Sequence, residues 1–542
     1  MKEGNDIHAA AQEAASGTEA HAATAPGSPW FLLATASATC ALISLDTNIV
    51  AVSLPSIARS FRAGFADVEW VVSAYMVSFA SCLLPMGGLA DRYGRKKMLL
   101  LGLLVFALAS LGCGLAPSVA TLNISRAAKG VGAAMLLTAA LATIANAFPG
   151  PRERAKAWAI WGMTMGIATT VAPLVGGVIA QWIGWRWIFL LNLPVCAVLI
   201  LCARRSVTES RNPHAGPVDF AGSLCFGIGL ACGIWTLIGT QDDGWGSPAT
   251  LYRFAACAVL IACFITIEKR RAHPVVDLTL FSQARFVAAV LGMFGYAACA
   301  QVMMTFLPLY LQNAFEWTPV HSGLGMLPFA LSMIVGPYLG ARIGRYLTAT
   351  TSTLSVGLVM VGAGNLLTAA VAPSSDYAWV ALGMIVTGLG AGVLNGDTQK
   401  AIMACVPPHR TGMASGISTT TRFTAIVTSV GVLGAVLASR TQSAIDAAVS
   451  CGPSRGACVD ARFMSDLLAG DIGHALSRLA PDVQHAMTLI APAGFATGFA
   501  AALDVAGCLA LVVSLLIWLL AGRSQSRAAG RQGIATPEQA TD

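Results

Sequence analysis

The segment Gly87-Gly-Leu-Ala-Asp91-Arg-Tyr-Gly94-Arg95-Lys-Lys97 lies between two long apolar runs, at about 69–90 and 98–117. Each run is long enough to cross the ~30 Å hydrocarbon core of a bilayer as a helix. Short loops that stay in the cytoplasm are enriched in Lys and Arg, and four basic residues lie in this connection. The segment therefore predicts a cytoplasmic turn between two membrane-spanning helices.

The composition of the whole chain extends that prediction. Of 542 residues, 56% are hydrophobic and only 11% are charged, whereas soluble domains contain about 25% charged residues. Apolar runs of spanning length recur from about 31–57 to 494–521 and number about fourteen. The net charge of +7 is spread between those runs rather than gathered on one domain, so we expect no nucleic-acid partner. We predict an all-α protein embedded in the lipid bilayer, and we exclude a large soluble enzyme.

The basic residues of the short loops predict the orientation of the chain, because positively charged loops remain in the cytoplasm. One set of alternate loops holds most of them: Arg92, Arg95, Lys96 and Lys97, then Arg152, Arg154 and Lys156, then Arg204, Arg205 and Arg211, then Lys269, Arg270 and Arg271. Both termini are then cytoplasmic, with a disordered tail at 1–29 and a second tail at 522–542. Residues 1–29 lack the apolar core and cleavage site of a signal peptide.

The connection at 441–493 differs from the other loops. It is long, mixed in polarity, and lies outside the cell in this orientation. It contains Cys451 and Cys458, and an oxidising compartment permits a small disulfide loop between them. Two free thiols in an unstructured loop are the alternative. Mass spectrometry after alkylation of the non-reduced protein separates the two.

Two short patterns occur twice in the chain. Arg92-Tyr-Gly94-Arg95 recurs as Arg342-Ile-Gly344-Arg345, and Gly130-Val-Gly132-Ala recurs as Gly388-Leu-Gly390-Ala. Each recurrence moves the pattern by eight apolar runs, and transporters are often duplicated bundles. This shift predicts two six-helix bundles separated by two extra central helices.

The domain boundaries follow from that repeat. We place the first six-helix bundle at 30–205, a linker with two extra helices at 206–275, and the second six-helix bundle at 276–521.

The segment 87–97 resembles the motif between the second and third helices of the major facilitator superfamily. The resemblance implies the major facilitator fold. It also implies that Gly87, Asp91, Arg92, Gly94 and Arg95 act in gating and stabilise one conformation of alternating access, rather than bind the substrate. A basic cluster that only marks the cytoplasmic side is the alternative.

Three further segments resemble the fourteen-span drug:proton antiporters of the EmrB/QacA type. They are the first-helix segment 45–55, the fifth-helix segment Ala172-Pro173-Leu-Val-Gly176-Gly177, and the segment 185–194 that enters the sixth helix. The first departs from the family pattern at Asn48 and Ala51, and the second at Ala172. The resemblance implies that Pro173, Gly176 and Gly177 form the antiporter helix motif.

Ionisable residues at membrane depth cost about 2.5–3.5 kcal/mol on insertion scales, so each needs a reason. At about 1.5 Å per residue, Asp46 and Lys129 lie at similar depths, with Arg126 one turn away. Arg126 matches the fourth-helix Arg of the family, while Lys129 stands where Gln is usual. We expect Asp46 to exchange a proton while Arg126 and Lys129 lower its proton affinity. A static ion pair that joins helices one and four is the alternative.

A second depth match joins Arg422 and Asp504, for which a structural ion pair is favoured over a coupling role. Polar residues on other helices are candidates for a central cavity between the bundles, although helix-to-helix hydrogen bonds are the alternative for each. They are Gln301, Tyr310, Gln312, Asn365 and Asn395.

The resemblance implies a proton-coupled secondary active efflux transporter that exports small amphipathic or cationic compounds by alternating access across the bacterial inner membrane. The sequence contains no P-loop, metal-ligand spacing or nucleophile motif, so we expect no enzyme activity, no metal and no cofactor. The proton gradient would supply the energy.

A dedicated exporter or importer of one metabolite, such as an amino acid, a sugar or a siderophore, is the main alternative. A non-transporting membrane sensor is a further one. Some relatives in the family work with a periplasmic adaptor protein, for which 441–493 is the candidate docking segment.

Overall fold

The computed structural model describes residues 28–532 except 149, 212–218, 245, 272–277, 302, 347–349, 375, 407–410, 449–460, 471 and 480. Over these residues the chain is helical and contains no β-strand. Within the described ranges, fourteen helical segments are long and apolar enough to cross a membrane. The predicted class, an all-α membrane protein with about fourteen spans, is therefore confirmed.

The first six spans cover the segment predicted as the first bundle. They are span 1 at Pro29–Phe61, span 2 at Phe65–Tyr93, span 3 at Arg95–Gly114, span 4 at Val119–Ala147, span 5 at Pro151–Trp182, and span 6 at Arg186–Leu190 with Asn192–Ser206. Ser28 caps span 1 by accepting from the backbone N–H of Trp30, and Pro29 occupies the first turn, where no N–H is needed. Gly94 separates spans 2 and 3 with φ of +118°, which a residue with a Cβ rarely adopts.

Two central spans and six further spans complete the set. They are span 7 at Phe220–Asp243, span 8 at Pro248–Arg270, span 9 at Ala284–Tyr296 with a π-helical turn at Ala297–Gln301 and a helix at Met303–Asn313, span 10 at Pro319–Gly325 with Leu327–Ile343, span 11 at Thr350–Val371, span 12 at Tyr377–Ala404, span 13 at Thr411–Ala448, and span 14 at Pro481–Gln532. Span 7 packs against span 2 of the first bundle and span 13 of the second, while span 8 packs on span 7. The two central spans therefore lie beside the boundary between the bundles.

The repeated glycine pattern makes the same contacts in both bundles. In the first bundle, a Cβ on Gly130 would overlap the backbone of span 2, and one on Gly132 would lie 2.8 Å from a backbone nitrogen of span 3. In the second bundle, a Cβ on Gly388 would lie 2.5 Å from a backbone oxygen of span 10, and one on Gly390 would lie 2.7 Å from a backbone oxygen of span 11. Small residues let membrane helices approach this closely. Span 12 therefore repeats the packing of span 4, eight spans later.

The last two spans are longer than their apolar runs predict. Span 13 continues to Ala448 and span 14 begins at Pro481, so much of the predicted loop 441–493 is helix. The two helices pack on each other near the start of the last apolar run, where a Cβ on Gly494 would lie 2.6 Å from the side chain of Ile445. Hydropathy gives the length of the apolar segment that lies in the bilayer, and it does not detect helical turns that continue outside the bilayer.

Several predictions fall outside the described residues. Cys451 and Cys458 lie in the gap at 449–460, and the predicted tail at 1–29 is described only from residue 28 onward. Of the predicted tail at 522–542, the helix of span 14 covers the part up to Gln532.

Candidate functional site

Three buried charged side chains meet between spans 1 and 4. Arg126 donates from Nη1 to Oδ2 of Asp46 over 3.1 Å, and Lys129 donates from Nζ to Oδ1. The exposed fraction of each side chain is 1% or less. The structure therefore brings together the three residues that depth alone predicted to meet.

Further groups complete this charge cluster. Asn192 of span 6 donates from Nδ2 to Oδ1 of Asp46 over 3.1 Å. Arg126 donates from Nε to the backbone oxygen of Val71 over 2.8 Å, and its guanidinium lies 4.3 Å from the ring centre of Tyr75. With one carboxylate and two cations, the cluster carries a formal charge of +1.

Two aromatic rings also lie close to the ammonium group of Lys129. The Nζ of Lys129 lies 4.7 Å from the ring centre of Phe106 and 4.9 Å from that of Phe189. The faces of these rings are electron-rich and partly compensate a cation that has left water. Sequence analysis missed Asn192 and these rings, because nothing in the spacing says which side chains of spans 2, 3 and 6 face Asp46.

The segment of span 5 that was predicted to form the antiporter helix motif contacts both bundles. A Cβ on Gly176 would lie 2.8 Å from the backbone oxygen of Ile49 in span 1, and one on Gly177 would overlap the backbone oxygen of Pro319 in span 10. Glycine is required at both positions because backbone atoms occupy the space of a side chain. Pro173 lies in the same contact, since a Cβ on Gly323 of span 10 would lie 2.7 Å from its backbone oxygen.

The segment 87–97 forms a tight turn held by its own bundle. Arg95 donates from Nη2 to Oδ1 of Asp91 over 2.9 Å. Beyond Gly94, the backbone N–H of Lys96 donates to Oε1 of Glu209 over 3.1 Å. The segment that follows span 6 therefore holds this turn, a contact that the sequence did not indicate.

The other two residues of the predicted gating set, Gly87 and Arg92, take no part in that ion pair. Arg92 is exposed, and Gly87 packs against Thr138 of span 4.

A cavity lies between the two bundles. Spans 1, 2, 4 and 5 of the first bundle and spans 9, 12 and 13 of the second supply its walls. Ser44, Thr47 and Asn48 of span 1 line it, so the helix that carries Asp46 also forms part of the cavity wall.

Two of the five polar residues predicted for this cavity line it, namely Gln301 and Asn395. The other three make helix-to-helix hydrogen bonds: Tyr310 donates to the backbone oxygen of Ala372, Gln312 to that of Val52, and Asn365 to that of Cys299. For these three the alternative is correct.

The predicted ion pair between Arg422 and Asp504 is not formed. Arg422 lines the central cavity and donates from Nε to Oε1 of Gln301 over 2.6 Å, while Asp504 is exposed on the outer surface of span 14. The two side chains leave their helices in different directions, which the prediction from depth did not take into account.

The bundles close on each other at the end that holds residues 62–64 and 183–185, which we call the outer end. There, Gln312 of span 9 bonds span 1, and the backbone N–H of Val320 in span 10 donates to Oε1 of Gln181 in span 5 over 3.2 Å. The short helix Ala461–Leu468 lies across both bundles. Ser465 accepts from the backbone N–H of Phe65, and Leu467 accepts from Asn313 of span 9.

Two repeated six-helix bundles, a cavity between them and a buried charge cluster beside it define a secondary transporter that works by moving one bundle against the other. The sequence profile described as Major Facilitator Superfamily matches residues 36–430. The chain belongs to the major facilitator superfamily.

Two relatives specify the kind of transporter. The chain is 35% identical over 399 residues to "Multidrug resistance protein Stp" of Mycobacterium tuberculosis, covering 73% of this chain and 74% of that protein. It is 30% identical over 416 residues to "Tetracenomycin C resistance and export protein" of Streptomyces glaucescens, covering 76% and 77%. These relatives confirm the predicted family, the drug-efflux transporters of the superfamily.

A solved structure supports the fold independently. A bacterial homologue of the human lysosomal transporter Spinster, in an inward-facing and unoccupied conformation, superimposes with a TM-score of 0.63 at 16% identity. The match covers 91% of this chain and 98% of that chain. The major facilitator fold is thus confirmed, and the chain is a multi-pass membrane protein.

Proposed function

We propose that this efflux transporter exchanges an amphipathic compound for protons and that Asp46 is the group that binds and releases the proton. The observation that carries the proposal is the full burial of Asp46 between Arg126 and Lys129, on a helix whose neighbouring residues line the cavity. Such a cluster is costly in a bilayer, and intramembrane carboxylates commonly mark proton pathways.

Protonation of Asp46 would change which conformation is favoured. A neutral acid no longer attracts Arg126 and Lys129, so spans 1 and 4 lose their strongest mutual attraction. A bound proton shifts a conformational equilibrium only by its differential affinity for the two states. Asp46 provides that difference because its two cationic partners are on another helix.

Span 5 would carry this change to the second bundle. Gly176 packs on span 1 at Ile49, three residues from Asp46, and the adjacent Gly177 packs on span 10. Movement of span 1 at the charge cluster therefore acts on the contact that closes the outer end. The Asp91–Arg95 pair and the Glu209 contact would hold the opposite end of the first bundle in this conformation.

The direction of transport rests on the closed outer end and on the relatives. The contacts at the outer end leave the cavity in the half of the protein toward the Lys-rich and Arg-rich loops, which corresponds to an inward-facing state. We place both termini in the cytoplasm and the protein in the bacterial inner membrane. The printed names of the relatives, which include resistance and export, support efflux.

The docking of a periplasmic adaptor stays a prediction. In this conformation, the short helix Ala461–Leu468 at the outer end is engaged with both bundles.

Proteoliposomes test the coupling directly. Purified protein is reconstituted with a pH-sensitive dye inside, and a panel of amphipathic compounds and candidate metabolites is added across an imposed pH gradient. Wild-type protein should dissipate the gradient when a substrate is present. Asp46→Asn should abolish gradient-driven transport but retain exchange of labelled for unlabelled substrate.

Asp397→Asn is the matched control, because it removes a carboxylate from another span where the partner, Lys400, is largely exposed. It should behave as wild type. If Asp46→Asn folds well and transports at the wild-type rate under a gradient, Asp46 does not carry the proton. The charge cluster would then be a static ion pair that joins spans 1 and 4. Transport restricted to one metabolite in the panel would favour the dedicated transporter.

A further inference from the structure

One charged side chain lines the central cavity among the residues that the structure describes, and it is a cation. Among the lining residues that the structure describes, Arg422 of span 13 carries a charge and no Asp or Glu is present. Ordinary polar groups and large apolar side chains form the remaining wall. The charge of this wall is therefore +1.

Among the described residues, Arg422 uses only one of the N–H donors of its guanidinium group. Its Nε donates to Oε1 of Gln301 over 2.6 Å. A guanidinium has five N–H donors, so the four on the two terminal nitrogens have no acceptor among the described residues. The rings of Tyr296 and Phe423 lie 5.8 Å and 5.9 Å from the guanidinium carbon and flank it.

The π-helical turn of span 9 places Gln301 at this point. The wide turn runs from Ala297 to Gln301, and two of its backbone oxygens accept hydrogen bonds from other spans. Ser429 donates to Ala298 over 2.6 Å and Asn365 donates to Cys299 over 2.8 Å. Such turns in membrane helices recur at functional sites, and here side chains of neighbouring helices satisfy the freed groups.

Three carboxylates of the spans that the structure describes are either paired with other cations or exposed, and none is recorded in an ion pair with Arg422. Asp46 is already engaged by two cations, so its cluster adds positive charge rather than removing it. Asp397 pairs with Lys400, and Asp504 is exposed on span 14. A cavity of one sign with low-dielectric walls concentrates ligands of the opposite sign.

We infer that this cavity selects amphipathic compounds that carry a carboxylate, which the two terminal nitrogens of Arg422 bind as a pair of parallel hydrogen bonds. The guanidinium fork matches the geometry of a carboxylate. The apolar part of the compound packs on Trp161, Met165 and Phe423. Methionine side chains adapt to different shapes, so one acidic group can be combined with varied apolar bodies.

This inference rests on the proposed export function, and it narrows the proposed substrates to amphipathic compounds that carry a carboxylate. Equilibrium binding of two dyes built on the same ring system tests it, without any gradient. Fluorescein carries a carboxylate and is an anion at neutral pH, whereas rhodamine 123 is a cation. Fluorescence polarisation with detergent-purified protein gives both dissociation constants.

Wild-type protein should bind fluorescein at least tenfold more tightly than rhodamine 123. Arg422→Gln should weaken fluorescein binding tenfold or more and leave rhodamine 123 binding unchanged or tighter. Arg422→Lys keeps the charge but not the fork, so it should recover part of the preference. Arg440→Gln makes the same exchange at an exposed position of the same span, and it should match wild type.

Gln301→Glu provides a second variant if Arg422→Gln does not fold. A carboxylate next to Arg422 would neutralise the cavity while keeping the arginine in place, and the preference for fluorescein should disappear. Three results overturn the inference: rhodamine 123 binding as tightly as fluorescein to wild type, no saturable binding of fluorescein, or an equal loss of both dyes in Arg422→Gln.

The outcomes also separate this inference from the proposed coupling. Charge-selective binding by a protein that moves no protons would contradict the coupling and leave the substrate class intact. Proton-driven export of rhodamine 123 without fluorescein would contradict the substrate class and leave the coupling intact.

Discussion

Replacing Asp46 by Asn tests whether the charge cluster is a cooperative unit. The exchange keeps the size of the side chain but leaves Arg126 and Lys129, both fully buried, without a counter-charge. Removing one partner from a buried ion pair costs about 3–5 kcal/mol. Because two cations lose the same partner, we expect Asp46→Asn to cost about 5 kcal/mol, at the upper end of that range.

Lys129→Gln should cost much less. Asp46 keeps Arg126 and Asn192 as partners, and the formal charge of the cluster falls from +1 to zero. Only one donor of a buried acceptor is lost, which corresponds to about 1–2 kcal/mol.

The double variant Asp46→Asn/Lys129→Gln distinguishes a cluster from independent residues. It leaves one unpaired cation instead of two, and Arg126 keeps its hydrogen bond to the backbone oxygen of Val71. We therefore expect the double variant to lose about 3 kcal/mol, less than Asp46→Asn alone, whereas independent sites would lose about 6–7 kcal/mol together. Residues in one network commonly show coupling of this size.

Unfolding by sodium dodecyl sulfate in detergent micelles, followed by tryptophan fluorescence, measures these apparent free energies. Asp397→Asn is again the control, and since Lys400 is 76% exposed it should change stability by less than about 1 kcal/mol. Additive losses in the double variant, or wild-type stability of Asp46→Asn, would refute the reasoning.

Three further changes test the packing around the site. Gly177→Leu places a side chain where the backbone oxygen of Pro319 lies, so the outer end should open and hydrogen–deuterium exchange at 319–325 should speed up severalfold. Unchanged exchange there would contradict a closed outer end. Gly94→Ala forces a Cβ into a backbone with φ of +118° and should cost about 1–2 kcal/mol in the same detergent unfolding assay, with loss of the Glu209 contact. A cost below about 0.5 kcal/mol would argue against this turn. Ser429→Ala leaves a backbone oxygen of the π-helical turn without its side-chain donor and should lower stability by about 1 kcal/mol and weaken fluorescein binding, because Gln301 then shifts. If Ser429→Ala binds fluorescein as tightly as wild type, the π-helical turn does not determine ligand binding in the cavity.

The sequence predicted the helices well because membrane length and loop charge are one-dimensional signals. Each apolar run must be about 20 residues long, and Lys and Arg mark one side, so spans are counted without knowledge of their neighbours. The glycine repeat also predicted that the second bundle repeats the helix packing of the first. Gly130 and Gly388 each face a backbone, and small residues at such positions leave a recognisable spacing.

Side-chain direction was the information that the sequence lacked. Asp46 and Lys129 are on neighbouring helices and face each other, so equal depth sufficed to pair them. Arg422 and Asp504 are also on neighbouring helices and were predicted at matching depth, yet one faces the cavity and the other is exposed. Successive residues of a helix turn by about 100°, so depth leaves the direction undetermined. Asn192 was missed for the same reason.

Span 1 connects the charge cluster, the contact with span 5 and the closed outer end. Asp46, Ile49 and Val52 are spaced by three residues and lie within about 9 Å along the helix. Asp46 is held by span 4, the backbone oxygen of Ile49 contacts Gly176, and that of Val52 accepts from Gln312 of the second bundle. Pro55 follows one turn later and removes a backbone hydrogen bond, which loosens the helix there. A change in the charge of Asp46 would therefore act on a short, stiff segment that also closes the outer end. For this reason we expect the charge of Asp46 and the closure of the outer end to change together rather than in two separate steps.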